Sequence, residues 1–186
     1  MRLLALACLL FALSACKKFD GGDIVPAKGE RPVWVPQADT IPDNATFTLK
    51  LIQDSINSDE TAFIFDHQAS TAFSNGNGAP YFPGFGRLSL ASITSDGRDM
   101  SIYDLPYKSK MCVGLDIHSK KDGVLSLKIS REKNIPSGIR IWVKDAYAKD
   151  SLNLCKDSYS FRITRADTNS FGKKRLKLVL VSIPGE

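Results

Sequence analysis

The sequence predicts an all-β domain, an antiparallel β-sandwich of about nine strands, and three observations carry that expectation. Apolar and polar residues alternate with period two in one segment after another. Turn-forming clusters separate these segments at hairpin-like intervals. No stretch of ten or more residues carries a 3.6-residue apolar stripe. The chain has 186 residues, 43% of them hydrophobic, which is one domain's worth and enough to bury a core without disulfides or metal. Short strands with short turns then mean a sandwich or barrel.

Before the strands comes an address. Met1-Arg2 gives a short positive start, and Leu3 to Leu13 is unbroken apolar sequence. As a helix this run rises about 16 Å, against a hydrocarbon core of roughly 30 Å. Residues 1–15 therefore read as a signal peptide rather than a membrane span. The next four residues, Leu13-Ser14-Ala15-Cys16, resemble the lipobox of bacterial lipoproteins at every position. That resemblance implies cleavage before Cys16, acylation of its thiol, and a membrane as the first partner. One acyl chain anchors only marginally, whereas two or three hold a protein stably on a bilayer. Lys17-Lys18, with Asp20 and Asp23 beyond, looks like the surface-export start of Bacteroidota lipoproteins, interrupted by Phe19. The expected location is the outer membrane, on its periplasmic face or at the cell surface.

Residues 16–43 hold Gly21, Gly22, Pro26, Gly29, Pro32, Pro36 and Pro42 among few apolar side chains. Such a stretch buries too little to offset its ordering entropy and reads as a tether. Val33-Trp34-Val35 is its one apolar patch, suited to an edge strand or a staple. The domain is expected over 44–186. Phe47, Leu49 and Leu51 alternate with Thr46, Thr48 and Lys50; Ala62–Phe65, Leu88–Ile93 and Met100–Tyr103 follow. Val113, Leu115 and Ile117 alternate with Gly114, Asp116 and His118, and Leu125, Leu127 and Ile129 with Ser126, Lys128 and Ser130. Ile139–Lys144 comes next, then Tyr159, Phe161 and Ile163 against Ser160, Arg162 and Thr164. Arg175 to Ile183 is apolar on both faces beyond Lys177, as a central strand would be. Asp66 to Gly86 is too long for the rhythm, and loops of that length are functional or clamped.

The order of landmarks carries a second resemblance. Phe65-Asp66 closes a strand, followed by Ala-Ser-Thr-Ala-Phe and Gly78-Ala79-Pro80. Then come Leu88-Ser89-Leu90, Ser95-Asp96-Gly97, Leu105-Pro106, Asn134-Ile135-Pro136, Lys144-Asp145, Ser158-Tyr159-Ser160-Phe161 and Lys174 to Leu178. Over roughly 44–184 this resembles the β-sandwich module of Bacteroidota secreted and surface proteins, often found before type IX secretion sorting domains. Where that module often has an acid before Ala-Pro, this chain has Asn77-Gly78. The resemblance implies a structural or binding module and carries no catalytic signature.

Chemistry-bearing patterns are sparse. There is no Gly-x-Ser-x-Gly, no phosphate-cradling glycine loop and no His-Glu-x-x-His. Asp66-His67 and Asp116-x-His118 are the acid–histidine neighbours on which a hydrolase of unknown class would rest, and strand geometry puts Asp116 and His118 on one wet face. Asp54, Asn57, Asp59 and Glu60 crowd one turn and offer oxygen ligands of the kind calcium takes, without EF-hand spacing. Tyr81, Phe82 and Phe85 lie among prolines and glycines, as a platform for sugar faces or for a protein would. The net charge is +5, spread over turns and wet faces, which argues against nucleic acid and is compatible with anionic polysaccharide. With Cys8 in the leader and Cys16 acylated, Cys112 and Cys155 are the pair an oxidising compartment could join. Thr40, Ser55 and Ser151 stand in Asp-Ser/Thr-aliphatic triplets resembling the O-glycosylation site of Bacteroidota.

The reading is a lipid-anchored envelope β-sandwich that requires no cofactor. It acts as a non-catalytic structural or binding module whose partner is a glycan or an envelope protein. The first rival is a carbohydrate-binding module using Tyr81–Phe85.

Overall fold

The computed structural model describes residues 41–84 and 86–182, all within the unit Val35–Glu186. The leader, Cys16, Val33-Trp34-Val35, Thr40, Phe85 and Ile183 lie outside the described residues.

Among the described residues every expected strand forms, and the chain is all-β apart from one 3-10 turn at Thr168–Ser170. In order the strands are β1 (Thr46–Ile52), β2 (Ser58–Phe65), β3 (Ala79–Pro80), β4 (Leu88–Ile93), β5 (Asp99–Leu105) and β6 (Lys110–Ser119). They continue with β7 (Gly123–Lys133), β8 (Ile139–Asp145), β9 (Asp150–Asn153), β10 (Tyr159–Ile163) and β11 (Leu176–Ser182). The period-two pattern sorts side chains as anticipated. Phe47, Leu49 and Leu51 of β1 are inside, while Thr46, Thr48 and Lys50 are partly exposed. On β11, Leu176, Leu178 and Leu180 join the core cluster. β11 is central, bonded to β6 on one side and β8 on the other.

The hydrogen bonds draw one continuous path, β10-β7-β1-β2-β5-β4-β6-β11-β8-β9, with β3 pairing β5 beside it. The sheet curls around a single core, lined by Phe47, Phe63, Leu90, Leu115, Leu127, Ile141 and Leu178 among others. Phe47 and Phe63 are cross-strand partners on β1 and β2. Their rings stack at 4.5 Å and 10°, a geometry that adds to burial. The arrangement is nearly closed and barrel-like. One end is tied back to the strand next to the other, since Tyr159 of β10 donates to Asp145 at the end of β8 (3.1 Å).

Three departures from the expectation have physical causes. β2 and β5 run parallel, not antiparallel, because the long 66–98 connection supplies the crossover that parallel neighbours need. β7 is longer than its alternation suggested because a bulge near Ser130 shifts its register against β1 between Thr48 and Leu49; Ser130 Oγ donates to Thr48 O at 3.3 Å. The packed domain also begins earlier than residue 44, for Ile41 is 1% exposed and sits in the core. Asn44 turns the chain with φ +69, and its N–H reaches Phe65 O at 3.1 Å.

Candidate functional site

The long loop after β2 is clamped onto the sheet. Gly78, at φ +73, lies so close to β5 that a Cβ would meet Ile102 O at 2.2 Å, and its N–H donates to Asp104 Oδ2 at 2.8 Å. Only glycine suits that approach. A few residues on, the Tyr81 N–H donates to Asp99 O at 2.8 Å. Asp59 Oδ2 receives both the Tyr81 hydroxyl (2.9 Å) and the Leu90 N–H (2.8 Å). Burial and the neighbouring Asp59 carboxylate push the Tyr81 phenol up to about 12. Tyr81 is therefore a strut, whereas Phe82 is 81% exposed. The two rings have different roles and form no shared platform; Phe85 lies outside the described residues.

A second loop, 164–175, docks on the outer face of β4 and β6. There Asp116 faces Ala91 and His118 faces Ser89 across the β4–β6 ladder. Strand alternation places Asp116 and His118 together as expected, and His118 Nε2 lies 2.8 Å from Asp116 Oδ1. Loop 164–175 adds three contacts that spacing did not announce. Gly172 N–H donates to Ile117 O at 2.7 Å, the Phe171 ring lies 5.5 Å from that of His118, and Lys173 Nζ pairs with Asp99 Oδ1 at 2.6 Å. Burial raises the Asp116 carboxyl above its usual range, only partly opposed by His118 and Lys173. Beside His118 a cleft of about 290 Å³ is lined in part by Pro83, Ser89, His118, Lys120 and Arg165. It is open, and Arg87, Lys120 and Arg165 bring cationic side chains to its lining.

The other acid–histidine neighbours separate. Asp66 Oδ1 accepts from Gln68 N at 2.8 Å, and His67 Nδ1 pairs with Asp43 instead. The two histidines thus serve different acids on different elements. The acidic turn divides in the same way. Asp54 caps the turn, accepting from the Ile56 and Asn57 backbones and from Asn57 Nδ2; Asp59 holds Tyr81 and Leu90; Glu60 pairs with Lys50 at 3.0 Å. Among the described residues no set of three or more His, Cys, Asp or Glu is placed to hold a metal ion.

No disulfide joins Cys112 and Cys155, which corrects that expectation. Cys112 on β6 faces Val179 of β11, and Val179 faces Trp142 of β8. Cys155 lies beyond, its Sγ 3.3 Å from Ile141 N of β8. Two ladder spacings of about 4.8 Å put the Cα atoms past the roughly 7 Å a disulfide spans. Ser55 and Ser151 are both exposed, as modification would require.

A further assembly escaped the sequence entirely. Arg175 is 3% exposed and Asp145 2%. Arg175 Nε and Nη2 reach Asp145 Oδ2 at 3.0 and 2.9 Å, while Nη1 donates to Arg162 O of β10 at 2.6 Å and to Ser170 O. The other carboxylate oxygen takes the Tyr147 and Ala148 N–H groups at 2.9 and 3.0 Å. Burial alone would raise Asp145; the Arg175 and Ala148 bonds outweigh it and hold the carboxyl below its usual range. Arg175 looks like one more turn cation in sequence, and nothing local says that it is inside.

No protein-family model matches the chain, and no curated protein or solved structure matches it either.

Proposed function

We propose that the protein is a lipid-anchored envelope protein of the Bacteroidota type, held at the outer membrane through acylated Cys16. Its domain acts there as a non-catalytic binding or structural module. The runs β10-β7-β1-β2-β5 and β4-β6-β11-β8-β9 serve as the two facing layers of a sandwich, with β5 as the crossing strand. In support, β4 and β5 share only two ladder pairs, Ser92–Met100 and Ile93–Asp99, fewer than β1–β2 or β8–β11.

The observation that carries the module reading is the employment of its acids. Asp54, Asp59, Asp66 and Asp145 hold turns, loops or the buried arginine, and the Asp116–His118 pair lies on an outer strand face beneath a docked loop. The open clefts beside them carry lysine and arginine side chains, suited to contact. Lipidation rests on Leu13-Ser14-Ala15-Cys16 and on the need for two or more chains to hold a protein at a bilayer.

The exposed Phe82 ring, one residue before Pro83 of the His118 cleft, favours a second reading, a carbohydrate-binding module at that edge. A glycan array probed with the full chain tests the module reading. Retention of a glycan class that the protein leaves chemically intact is expected; cleavage of the bound glycan contradicts the reading, and no retention of any excludes a glycan as the partner. Phe82→Ala removes retention only if the second reading holds.

A further inference from the structure

On the far side of loop 164–175 two open clefts meet. One, of about 440 Å³, is lined by Lys144, Lys149, Lys174 and Lys177. The other, of about 580 Å³, has Tyr147 on its wall, and Ala146, Lys174 and Arg175 belong to both. Lys144 and Lys177 stand directly opposite each other on the outer face of β8 and β11, and like charges opposed in this way are unfavourable for a sheet. Among the described residues none of these four lysines has an acidic partner, unlike Lys50 with Glu60 or Lys173 with Asp99. Asp145 lines the cleft but is already neutralised by Arg175. Asp150, the remaining acid, accepts the Ser151 N–H at 2.7 Å.

Next to the shared Ala146, on the wall of the larger cleft, is Tyr147, 48% exposed and fixed at both ends. Its backbone N–H is bound to Asp145 Oδ1 (2.9 Å) and its hydroxyl donates to Asp167 Oδ2 (2.9 Å). Arg175 lies over the ring, 4.9 Å from its centroid. An aromatic ring held in advance adds contact at small entropic cost, and its apolar face is what the C–H face of a sugar covers. Lys149 at φ +57 lifts the fourth cation at the tip of the β8–β9 turn. Residues with side chains visit that region at a cost, and such positions gather at binding sites.

We propose that these joined clefts bind an acidic saccharide, with its carboxylates or sulfates on Lys144, Lys174 and Lys177 and a sugar ring on Tyr147. A bare phosphate surface would use the lysines and have no need of the ring, so the ring favours a saccharide over a lipid headgroup. The inference rests on the module reading and gives it a ligand class.

The test is a titration of the full chain with oligogalacturonate. A neutral maltooligosaccharide of the same length and phosphatidylglycerol vesicles form the other arms. Oligogalacturonate binding is expected to weaken about tenfold in Lys174→Glu and in the double variant Lys144→Glu/Lys177→Glu. Tyr147→Ala should lose about fivefold, and raising the salt should weaken binding in every case. Lys110→Glu on β6, paired with Val181 at the opposite end of β11 from Lys177, is expected to bind as the parent does. Lys149→Gln, at an exposed turn, gives a milder loss should a double variant fold poorly, and melting curves check each protein. Binding that survives the lysine changes overturns the cleft and leaves the module reading standing. Vesicle binding that exceeds saccharide binding and ignores Tyr147→Ala overturns the saccharide assignment. Absence of binding to every arm overturns the saccharide inference and leaves the module reading to the glycan array.

Discussion

Loop 164–175 makes two acid–base assemblies, and they differ in almost everything except their chemistry. At one end Arg175 and Asp145 are sealed inside, with every strong donor and acceptor matched and the edge strand β10 tied to β8. Two residues earlier Lys173 and Asp99, their side chains 46% and 31% accessible, meet near Asp116 and the half-exposed His118. Burial sets what each pair is for. Inside, an unmatched charge is intolerable, so the pair fixes how the sheet closes. Outside, water screens the attraction, and the pair positions a loop at little energetic stake.

The comparison is broken most severely by removing one buried partner. Arg175→Met should destabilise the domain by about 3–5 kcal/mol in urea unfolding, because Asp145 is left charged and dry. The double variant Arg175→Met/Asp145→Leu should recover most of that loss, which separates the cost of an orphaned charge from the worth of the pair.

Next in size is the backbone clamp. Gly78→Ala places a Cβ 2.2 Å from Ile102 O at φ +73 and should lower stability by more than about 1 kcal/mol, with the 66–86 loop freed first in hydrogen exchange.

The buried pair also sets a pH dependence. The Asp145 carboxyl is lowered from 3.8 in the folded protein, so its contribution is fully present above that value and is lost as pH falls below it through the folded pKa. Asp145→Asn should flatten the acid limb of the stability curve. Asp116 has the opposite sign. Its raised carboxyl contributes most below 3.8 and loses that contribution as pH rises, so Asp116→Asn should leave neutral-pH stability unchanged or slightly improved.

The smallest effect belongs to Lys173→Ala. With both partners partly exposed it should cost at most about 1 kcal/mol and shrink further in high salt. A loss as large as that of Arg175→Met would remove the distinction drawn between the two assemblies.

Most of the fold was legible in the sequence because a half-buried strand writes its two faces into alternate residues. Phe47–Leu51, Val113–His118 and Tyr159–Ile163 could hardly read otherwise. The short strands β3 and β9 carry too few residues for a period, and β3 exists because Gly78 lets the chain approach β5. The parallel β2–β5 pairing was hidden because periodicity is blind to strand direction. In the candidate site, Asp116 with His118 was legible from i, i+2 spacing alone. Lys173, Phe171 and Asp99 were not, since their meeting depends on where a distant loop lands. The lysine cleft was hidden for the same reason, since Lys144 and Lys177 become neighbours only through the β8–β11 register.

The lipid at Cys16 is what would hold the proposed module at the outer membrane. Intact mass and detergent-phase partitioning of the chain, expressed in a bacterium that processes lipoproteins, measure it directly. The account predicts a mature protein beginning at Cys16, heavier than its polypeptide by two or three acyl chains and found in the detergent phase, and a Cys16→Ala form that lacks both properties. A parent protein with an unmodified Cys16, recovered from the aqueous phase, would contradict it.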